Sequence, residues 1–126
     1  MPRTITFAEA IREAIAEEME RDERVFLWGQ DVGAFGGCFG VTTGLYDKFG
    51  GRRVVDTPSS ETFIAGGAVG AAITGLRPIA ELMFADFIAV AMDEIAGKAA
   101  KWRYMHGGLF TVPIVYRLPE GAVGGA

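Results

Sequence analysis

The stretch Arg53-Val54-Val55-Asp56-Thr57-Pro58-Ser59-Ser60-Glu61 decides the fold of this chain. Its short apolar run is typical of a buried strand and leads through a proline-containing turn into Ser60 to Thr74, a predicted helix that stops at Gly75. Glycines 66, 67 and 70 lie inside that helix, where each costs about 1 kcal/mol against alanine. Such a helix needs a neighbour at close range, and we expect that neighbour to be a partner subunit.

Strands and helices alternate on both sides of this unit. Thr6 and Glu9 have the spacing of a capping box, which predicts a helix to about Arg21. The other predicted elements are a glycine-rich loop at 33–40, a short helix at 43–49, a long helix from 86 or 87 to 104, and strands at 25–28, 53–55, 78–83 and 112–117. The strands are apolar without alternation, which is typical of parallel sheets covered on both faces. The sequence therefore predicts an α/β fold with three layers, a mostly parallel sheet flanked by helices.

Three polar segments follow strands of this predicted sheet. They are Gln30-Asp31, Thr57 to Glu61, and Ala85 to Phe87. In open α/β sheets, ligands bind beyond the carboxyl ends of the strands. We therefore expect a functional site where these segments converge.

Length and composition narrow the class of protein. The chain has 126 residues, 18 of them glycine, and a formal net charge of −4, which suits one domain and disfavours a nucleic-acid partner. The single cysteine, Cys38, favours a reducing compartment. No apolar segment has the length or character of a membrane span or a signal peptide, so we expect a cytoplasmic protein.

Common catalytic and binding motifs do not fit. No GxGxxG fingerprint for dinucleotides and no GxxxxGK[ST] phosphate loop occurs. Cys38 has no adjacent cation to stabilise a thiolate, so we interpret it as an ordinary loop cysteine. His106 precedes Gly107-Gly108, where we expect it to cap a helix C-terminus, and Asp86 is the expected N-cap of the long helix.

Several segments together carry a family resemblance. They are Asp56-Thr57-Pro58-Ser59-Ser60-Glu61, Gly66-Gly67-Ala68-Val69-Gly70-Ala71-Ala72, Gly75-Leu76-Arg77-Pro78-Ile79, Phe84-Ala85-Asp86-Phe87, Ala99-Ala100-Lys101, Arg103-Tyr104-Met105-His106-Gly107-Gly108 and Val112-Pro113-Ile114-Val115. With these segments in this order, the chain resembles the beta subunit of the thiamine-diphosphate-dependent first component of 2-oxo acid dehydrogenase complexes. The pyruvate, acetoin and branched-chain types share this pattern. The resemblance covers essentially the whole chain and implies a transketolase-like pyrimidine-binding domain. A transketolase-like enzyme outside the dehydrogenases fits the segment at 104–108 less well.

The resemblance implies roles for residues around the predicted site. Glu61 matches the glutamate that hydrogen-bonds to the aminopyrimidine ring nitrogen of thiamine diphosphate and so promotes proton transfer within the cofactor. The alternative for Glu61 is a favourable first-turn acid, worth less than about 1 kcal/mol. Phe87 matches the aromatic residue that stacks on the aminopyrimidine, with an ordinary core phenylalanine as the alternative. Ser59 replaces an aliphatic residue that lines the pyrimidine pocket.

Three further positions match outlying parts of the family site. Asp93 matches an acid of the proton relay between two active sites, although a solvated carboxylate would look the same. Gln30 stands where many relatives carry a glutamate in that relay, and an amide cannot relay a proton as a carboxyl does. The backbone carbonyl of Ile114 matches one ligand of a structural potassium site whose other ligands lie beyond residue 126, which makes the site incomplete here.

The resemblance also implies partners. An alpha subunit would bind Mg²⁺ and the diphosphate in an assembly of two alpha and two beta chains, and a C-terminal transketolase domain, absent here, would contact the dihydrolipoyl acyltransferase core. We expect residues 1–126 to be one pyrimidine-binding domain that is incomplete at its C-terminus and inactive alone, with the loop Gly121 to Ala126 cut short. The implied reaction is oxidative decarboxylation of a pyruvate-like 2-oxo acid, or oxidative cleavage of acetoin, with acyl transfer to lipoyl groups. The alternative is a truncated, non-catalytic assembly module that pairs with the alpha subunit.

Overall fold

The computed structural model describes residues 3–121, so the loop predicted at 121–126 lies outside the described residues apart from Gly121. Helices and strands alternate along the chain. They are α1 (Phe7–Arg21), β1 (Val25–Gly29), α2 (Leu45–Phe49), β2 (Val54–Asp56), α3 (Glu61–Ile73), β3 (Arg77–Glu81), α4 (Trp102–Met105) and β4 (Val115–Arg117), with 3₁₀ turns at Cys38–Gly40 and Ala85–Ala89 and a π-helix at Asp93–Ala99.

The four strands form one sheet in the order β2-β1-β3-β4, and every described pairing is parallel. β1 lies inside the sheet, where Leu27 is opposite Val54 on one side and Ile79 on the other. The predicted parallel sheet is therefore confirmed. Because all strands run the same way, their carboxyl ends share one edge, which we call the carboxyl edge.

Each face of the sheet carries its own core. One core joins α1 and α2 to the sheet, with Leu27, Val54 and Met19 buried at its centre. The other joins α3 to the opposite face, where Ala65 and Ala68 pack with Ala80 and Leu82. This arrangement of helices, sheet and helices is the three-layer architecture that the sequence predicts.

Local signals account for the helix starts. In α1 the Thr6 hydroxyl accepts a hydrogen bond from the Glu9 N–H at 3.2 Å, and the Thr6 N–H donates to the Glu9 carboxylate at 2.7 Å. These bonds hold the pKa of Glu9 below its usual value. In α3 the Ser60 hydroxyl accepts from the Phe63 N–H at 3.4 Å. Both caps satisfy backbone donors that a helix start leaves free.

The single long helix predicted from 86 or 87 to 104 is wrong. The segment contains a 3₁₀ turn, the π-helix and the short α4 instead. Gly97 weakens the α-helix there, and the Asp93 carboxylate lies over it, 2.5 Å from where a Cβ would be. Lys98 pairs with Asp93 five positions earlier, which suits the wider π turn.

The sequence predicted caps at both ends of this segment, and the structure confirms only the one at the C-terminal end. Asp86 is not an N-cap, because the turn at 85–89 begins after Phe84 and has no side-chain cap. His106 is the C-cap of α4, and its Nδ1 lies 2.9 Å from the Trp102 carbonyl oxygen, so its predicted capping role is confirmed. β4 begins at Val115 rather than 112, because Pro113 has no N–H for a strand ladder.

The helical glycines of α3 meet neighbours within the chain, contrary to the expected partner subunit. A Cβ on Gly67 would lie 2.6 Å from the Trp28 ring, and one on Gly66 would lie 2.9 Å from the Glu94 carboxylate. Gly70 meets nothing within 4 Å among the described residues. Close packing of α3 on β1 accounts for Gly67, and its packing on the π-helix accounts for Gly66. No helix in residues 3–121 has the length and apolar character needed to cross a membrane.

Candidate functional site

The three predicted site segments leave the carboxyl edge from adjacent strands. Gln30 follows β1, Thr57 to Glu61 follow β2, and Ala85 to Phe87 follow β3 by a short link. The strand order β2-β1-β3 places the loop after β1 between the other two. The parallel sheet thus brings together the segments that the sequence singled out.

Backbone contacts tie the loops after β1 and β2 to each other. The Thr57 N–H donates to the Gly29 carbonyl at 2.9 Å, and the Gly33 N–H donates to Asp56 Oδ1 at 2.7 Å. A Cβ on Gly33 would press on the Asp56 carboxylate, so a larger residue would displace the side chain that accepts this bond. These bonds position the turn that leads to Glu61.

Glu61 is the first residue of α3 and is partly exposed. The free N–H groups and the dipole at the helix start favour a negative charge there. No hydrogen bond or ion pair engages the Glu61 carboxylate among residues 3–121. A ligand at the carboxyl edge can therefore reach the Glu61 carboxylate. Ser59, two residues earlier in the chain, is exposed.

Phe87 lies in the 3₁₀ turn Ala85–Ala89 with 45% of its surface exposed. Its N–H donates to the Phe84 carbonyl at 2.9 Å, and the Ala85 N–H donates to the Pro119 carbonyl at 3.1 Å. The Thr62 hydroxyl donates to the carbonyl of Val90, just after the turn, at 3.3 Å. That bond links the first turn of α3, which carries Glu61, to the turn that carries Phe87.

Gln30 is partly exposed at the end of β1. Its amide nitrogen lies 3.5 Å from Asp31 Oδ2, at the outer limit of a hydrogen bond. Asp31 has a φ of +53°, a left-handed conformation that aspartate tolerates better than most residues. The chain therefore turns sharply away from the sheet directly after Gln30.

Asp93 and Ile114 do not belong to these loops. Asp93 lies in the π-helix, with its side chain 81% exposed and 2.7 Å from Lys98 Nζ. Ile114 directly precedes β4, at the sheet edge opposite Glu61, and its side chain packs against the α3 core. It lines a cleft of about 330 Å³ with Pro78, Val112 and other residues.

A buried ion pair at the carboxyl edge was missed by sequence reasoning. Glu81 ends β3 with a fully buried side chain, and Arg117 ends β4 directly opposite. Arg117 Nε donates to Glu81 Oε2 at 2.9 Å, and its Nη2 lies 2.5 Å from Oε1. The available signal was a charged residue inside the apolar run Pro78 to Phe84, since buried carboxylates are rare unless they are paired.

A second missed feature is the Thr57 hydroxyl. Its oxygen is buried and has no hydrogen-bond partner within the described part of the chain. Buried hydroxyls are nearly always satisfied, so an unsatisfied one beside a candidate site indicates room for a polar ligand or water. Thr57 lies in the motif around Glu61, but the presence of a threonine there does not by itself indicate a buried hydroxyl without a partner.

Other reactive groups do not form a catalytic centre. Burial, followed by the nearby Glu81 charge, raises the pKa of the Cys38 thiol, which disfavours the nucleophilic thiolate. Across residues 3–121, no three or more His, Cys, Asp and Glu side chains are placed to hold a metal ion. The carboxyl edge with Glu61 and Phe87 thus remains the candidate site.

Known proteins share this sequence over nearly its whole length. Subunit beta of the mitochondrial pyruvate dehydrogenase E1 component from Bos taurus is 50% identical over 121 residues, which is 96% of this chain and 34% of the relative. The 2-oxoisovalerate dehydrogenase subunit beta from Bacillus subtilis is 52% identical over 117 residues, 93% of this chain and 36% of the relative. A beta subunit of the pyruvate dehydrogenase E1 component from Rickettsia bellii is 52% identical over 118 residues, with 94% and 36% covered. The chain therefore spans about a third of the length of these relatives.

The family described as the transketolase pyrimidine-binding domain matches residues 3–124, almost the entire chain. The match includes all four strands of the sheet and the carboxyl edge with Glu61 and Phe87. By its fold, its candidate site and this match, the chain belongs to the transketolase pyrimidine-binding domain family.

Proposed function

We propose that this chain supplies the aminopyrimidine half of a thiamine diphosphate site in the beta subunit of a 2-oxo acid dehydrogenase first component. One observation carries the proposal. In this pyrimidine-binding domain the Glu61 carboxyl group lies at the carboxyl edge with no partner among residues 3–121. The next residue, Thr62, donates a hydrogen bond to the Val90 carbonyl, just after the turn that carries Phe87. The half-identical beta subunits of pyruvate and 2-oxoisovalerate dehydrogenases support the same reaction class.

The residues at this edge fit an aromatic, polar cofactor. Phe87 offers an exposed ring face against which a pyrimidine would stack, covering apolar surface that now meets water. The buried Thr57 hydroxyl lacks a partner among residues 3–121, which suits a polar ligand or a bound water nearby. A bound pyrimidine would therefore cover the exposed ring of Phe87 and bring a polar group near the Thr57 hydroxyl.

When bound, thiamine diphosphate supplies the electron sink that decarboxylation of a 2-oxo acid requires. The contribution of this chain is to place the Glu61 carboxyl group within hydrogen-bonding reach of the aminopyrimidine ring nitrogen. Ser60 fixes the start of α3 and thereby the origin of the Glu61 side chain. Phe87, with Ser59 beside Glu61, would orient the ring and exclude water from it.

The remaining parts of the proposal concern groups that other chains would provide. An alpha subunit, in an assembly of two alpha and two beta chains, would bind Mg²⁺ and the diphosphate. The dihydrolipoyl acyltransferase core would receive the acyl group from a pyruvate-like 2-oxo acid or acetoin. Asp93 is a proposed relay residue, and Gln30 stands at a second relay position where its amide would not carry a proton. The Ile114 carbonyl is a proposed K⁺ ligand, and the proposed location is cytoplasmic.

The alternative function is a non-catalytic assembly module. Gln30 favours it, because an amide at the end of β1 cannot relay a proton. Such a module would pair with the alpha subunit and leave Glu61 unused. The two functions differ in one measurable property, the dependence of decarboxylation on the Glu61 carboxyl group.

The test is co-expression of this chain, within a full-length beta subunit, with an alpha subunit. Decarboxylation of pyruvate and of branched-chain 2-oxo acids, and cleavage of acetoin, would be measured with thiamine diphosphate and Mg²⁺, for the wild type and Glu61→Gln. General acid–base groups contribute about 10²- to 10⁴-fold, so Glu61→Gln should lower the rate by at least about 100-fold. Its thermal unfolding should remain within a few degrees of the wild type.

Glu17→Gln is the matched control, since Glu17 is an exposed glutamate on α1. It should leave both rate and unfolding unchanged. Undiminished activity in Glu61→Gln would remove this residue from the reaction. A wild-type assembly that forms and binds cofactor but decarboxylates none of the substrates would support the assembly module instead.

A further inference from the structure

Phe39 has an unfavourable backbone conformation in the glycine-rich loop. Its φ and ψ are +57° and +21°, in the left-handed region, although it carries a bulky side chain. Such a conformation is uncommon for aromatic residues and persists only where surrounding contacts enforce it. The ring is 66% exposed, so burial of the ring in the core does not explain the strain.

Contacts from two other side chains hold this part of the loop. Arg12 on α1 donates from Nη2 to the Gly40 carbonyl at 2.6 Å and from Nε to the Val41 carbonyl at 3.1 Å. The Thr43 hydroxyl donates to the same Gly40 carbonyl at 2.9 Å. A guanidinium fork on consecutive carbonyls fixes the two peptide planes that follow Gly40 and Val41, immediately beyond the Phe39–Gly40 peptide. The loop is therefore built to keep Phe39 in its strained position.

The ring of Phe39 packs on the turn of the candidate site. Its centroid lies 6.3 Å from that of Phe84, with the ring planes inclined by 59°, a favourable arrangement for an aromatic pair. The Phe84 carbonyl accepts the hydrogen bond from the Phe87 N–H. Displacement of Phe84 would therefore move the residue that carries the exposed stacking ring.

We infer that Phe39 is a positioning residue, which holds Phe84 and thereby sets where Phe87 meets the pyrimidine ring. This inference rests on the proposed function, because the role of Phe87 does. Strain at Phe39 is retained for the placement of its ring, while Arg12 and Thr43 maintain the backbone. Phe39 itself need not touch the cofactor.

Hydrogen exchange tests the packing directly. Phe39→Leu removes the aromatic pair, whereas Phe39→Gly removes the ring and also relieves the positive φ. In both variants, exchange of the Phe87 and Val90 amides should accelerate about two- to tenfold, the range expected for loss of an aromatic pair. Phe35→Leu is the matched control, since Phe35 is 78% exposed in the same loop, and it should leave these amides unchanged.

The strained backbone separates positioning from general stabilisation. Phe39→Gly should unfold at the same temperature as the wild type or higher, yet still show faster exchange at Phe87 and Val90. Exchange within the error of the wild type in both Phe39 variants would overturn the inference. So would a loss of protection spread evenly over the whole sheet.

Cofactor affinity provides the second measurement, with the assembled alpha and beta subunits and thiamine diphosphate with Mg²⁺ as the probe. The dissociation constant should rise about two- to tenfold in both Phe39 variants and stay unchanged in Phe35→Leu. Tight binding by the wild type with equal affinity in the Phe39 variants would overturn the positioning role alone. No binding by the wild-type assembly would overturn the proposed function and this inference with it.

Discussion

Gly67→Ala tests how closely α3 packs on the sheet. The new Cβ would lie 2.6 Å from Trp28 Cζ2 and 3.2 Å from Cη2. The ring cannot easily move, because its Nε1 donates to the Ile64 carbonyl at 2.8 Å and the ring also packs against Phe63, at 5.3 Å between centroids. Overpacking costs about 1–3 kcal/mol, and loss of the indole hydrogen bond costs about 1 kcal/mol more. Alanine recovers about 1 kcal/mol of helix propensity, which leaves a net loss of about 1–3 kcal/mol.

The assay is urea unfolding followed by far-UV circular dichroism, since the substitution perturbs tryptophan fluorescence directly. Gly70→Ala makes the same chemical change one turn along the same helix, where nothing lies within 4 Å. It should raise the free energy of unfolding by up to about 1 kcal/mol through helix propensity alone. The two substitutions should therefore move the unfolding midpoint in opposite directions. A Gly67→Ala protein as stable as the wild type would refute the close contact with Trp28.

The other predictions concern charge and pH. Glu81→Gln should cost about 3–5 kcal/mol in urea unfolding, because it leaves the charge of Arg117 largely buried without its counter-charge. Burial raises the pKa of Tyr116 to about 12, so stability should be constant below the usual value near 10 and fall by about 1–2 kcal/mol as the pH rises toward 12. Thermal unfolding of Tyr116→Phe should lack that alkaline loss, and an identical loss would contradict the assignment. Hydrogen bonds from Arg24 hold the pKa of Asp22 below its usual value, so Asp22 stabilises the fold above about pH 4 and this contribution is lost on acidification. Acid titration of Asp22→Asn should show a shallower loss of stability than the wild type.

The sequence predicted well those elements that local signals specify. The capping box of Thr6 and Glu9 located the start of α1, because this signal acts within three residues. The helix predicted from Ser60 begins at Glu61, with Ser60 as its N-cap. Uninterrupted apolar runs identified β1 and the parallel sheet, since strands buried on both faces need no alternation. Parallel strand direction then followed from the alternation of elements, and the carboxyl edge followed from that direction.

Features that depend on distant neighbours were not predictable. The segment after Phe87 reads as one helix by periodicity, yet the contact of Asp93 with Gly97 and Lys98 divides it. In the sequence Glu81 looks like an ordinary charged residue at a strand end. Its partner, Arg117, is 36 positions away and comes to lie opposite it only in the folded sheet. For the same reason, no pattern within α3 showed that Gly67 faces Trp28.

The candidate site was located by two kinds of information. The carboxyl ends of the strands indicated the three segments, and family resemblance selected Glu61 and Phe87 within them. Phe39 escaped both, because its conformation arises from Arg12 and Thr43 rather than from any signal in its own residue type. Strain of this kind is visible only in the backbone torsion angles.

The strand order has a consequence for how the chain folds. β1 pairs in the centre of the sheet with β3, so Val25 must find Arg77, 52 positions later in the chain. β2 lies between them in sequence but pairs on the outer side of β1. Closure of so long a loop is entropically costly and slow, and parallel strands offer no hairpin to begin it. Until β3 has left the ribosome, the apolar β1 presents an unpaired edge to any other strand nearby. The central position that protects both edges of β1 in the native sheet therefore leaves it open to misassociation during synthesis.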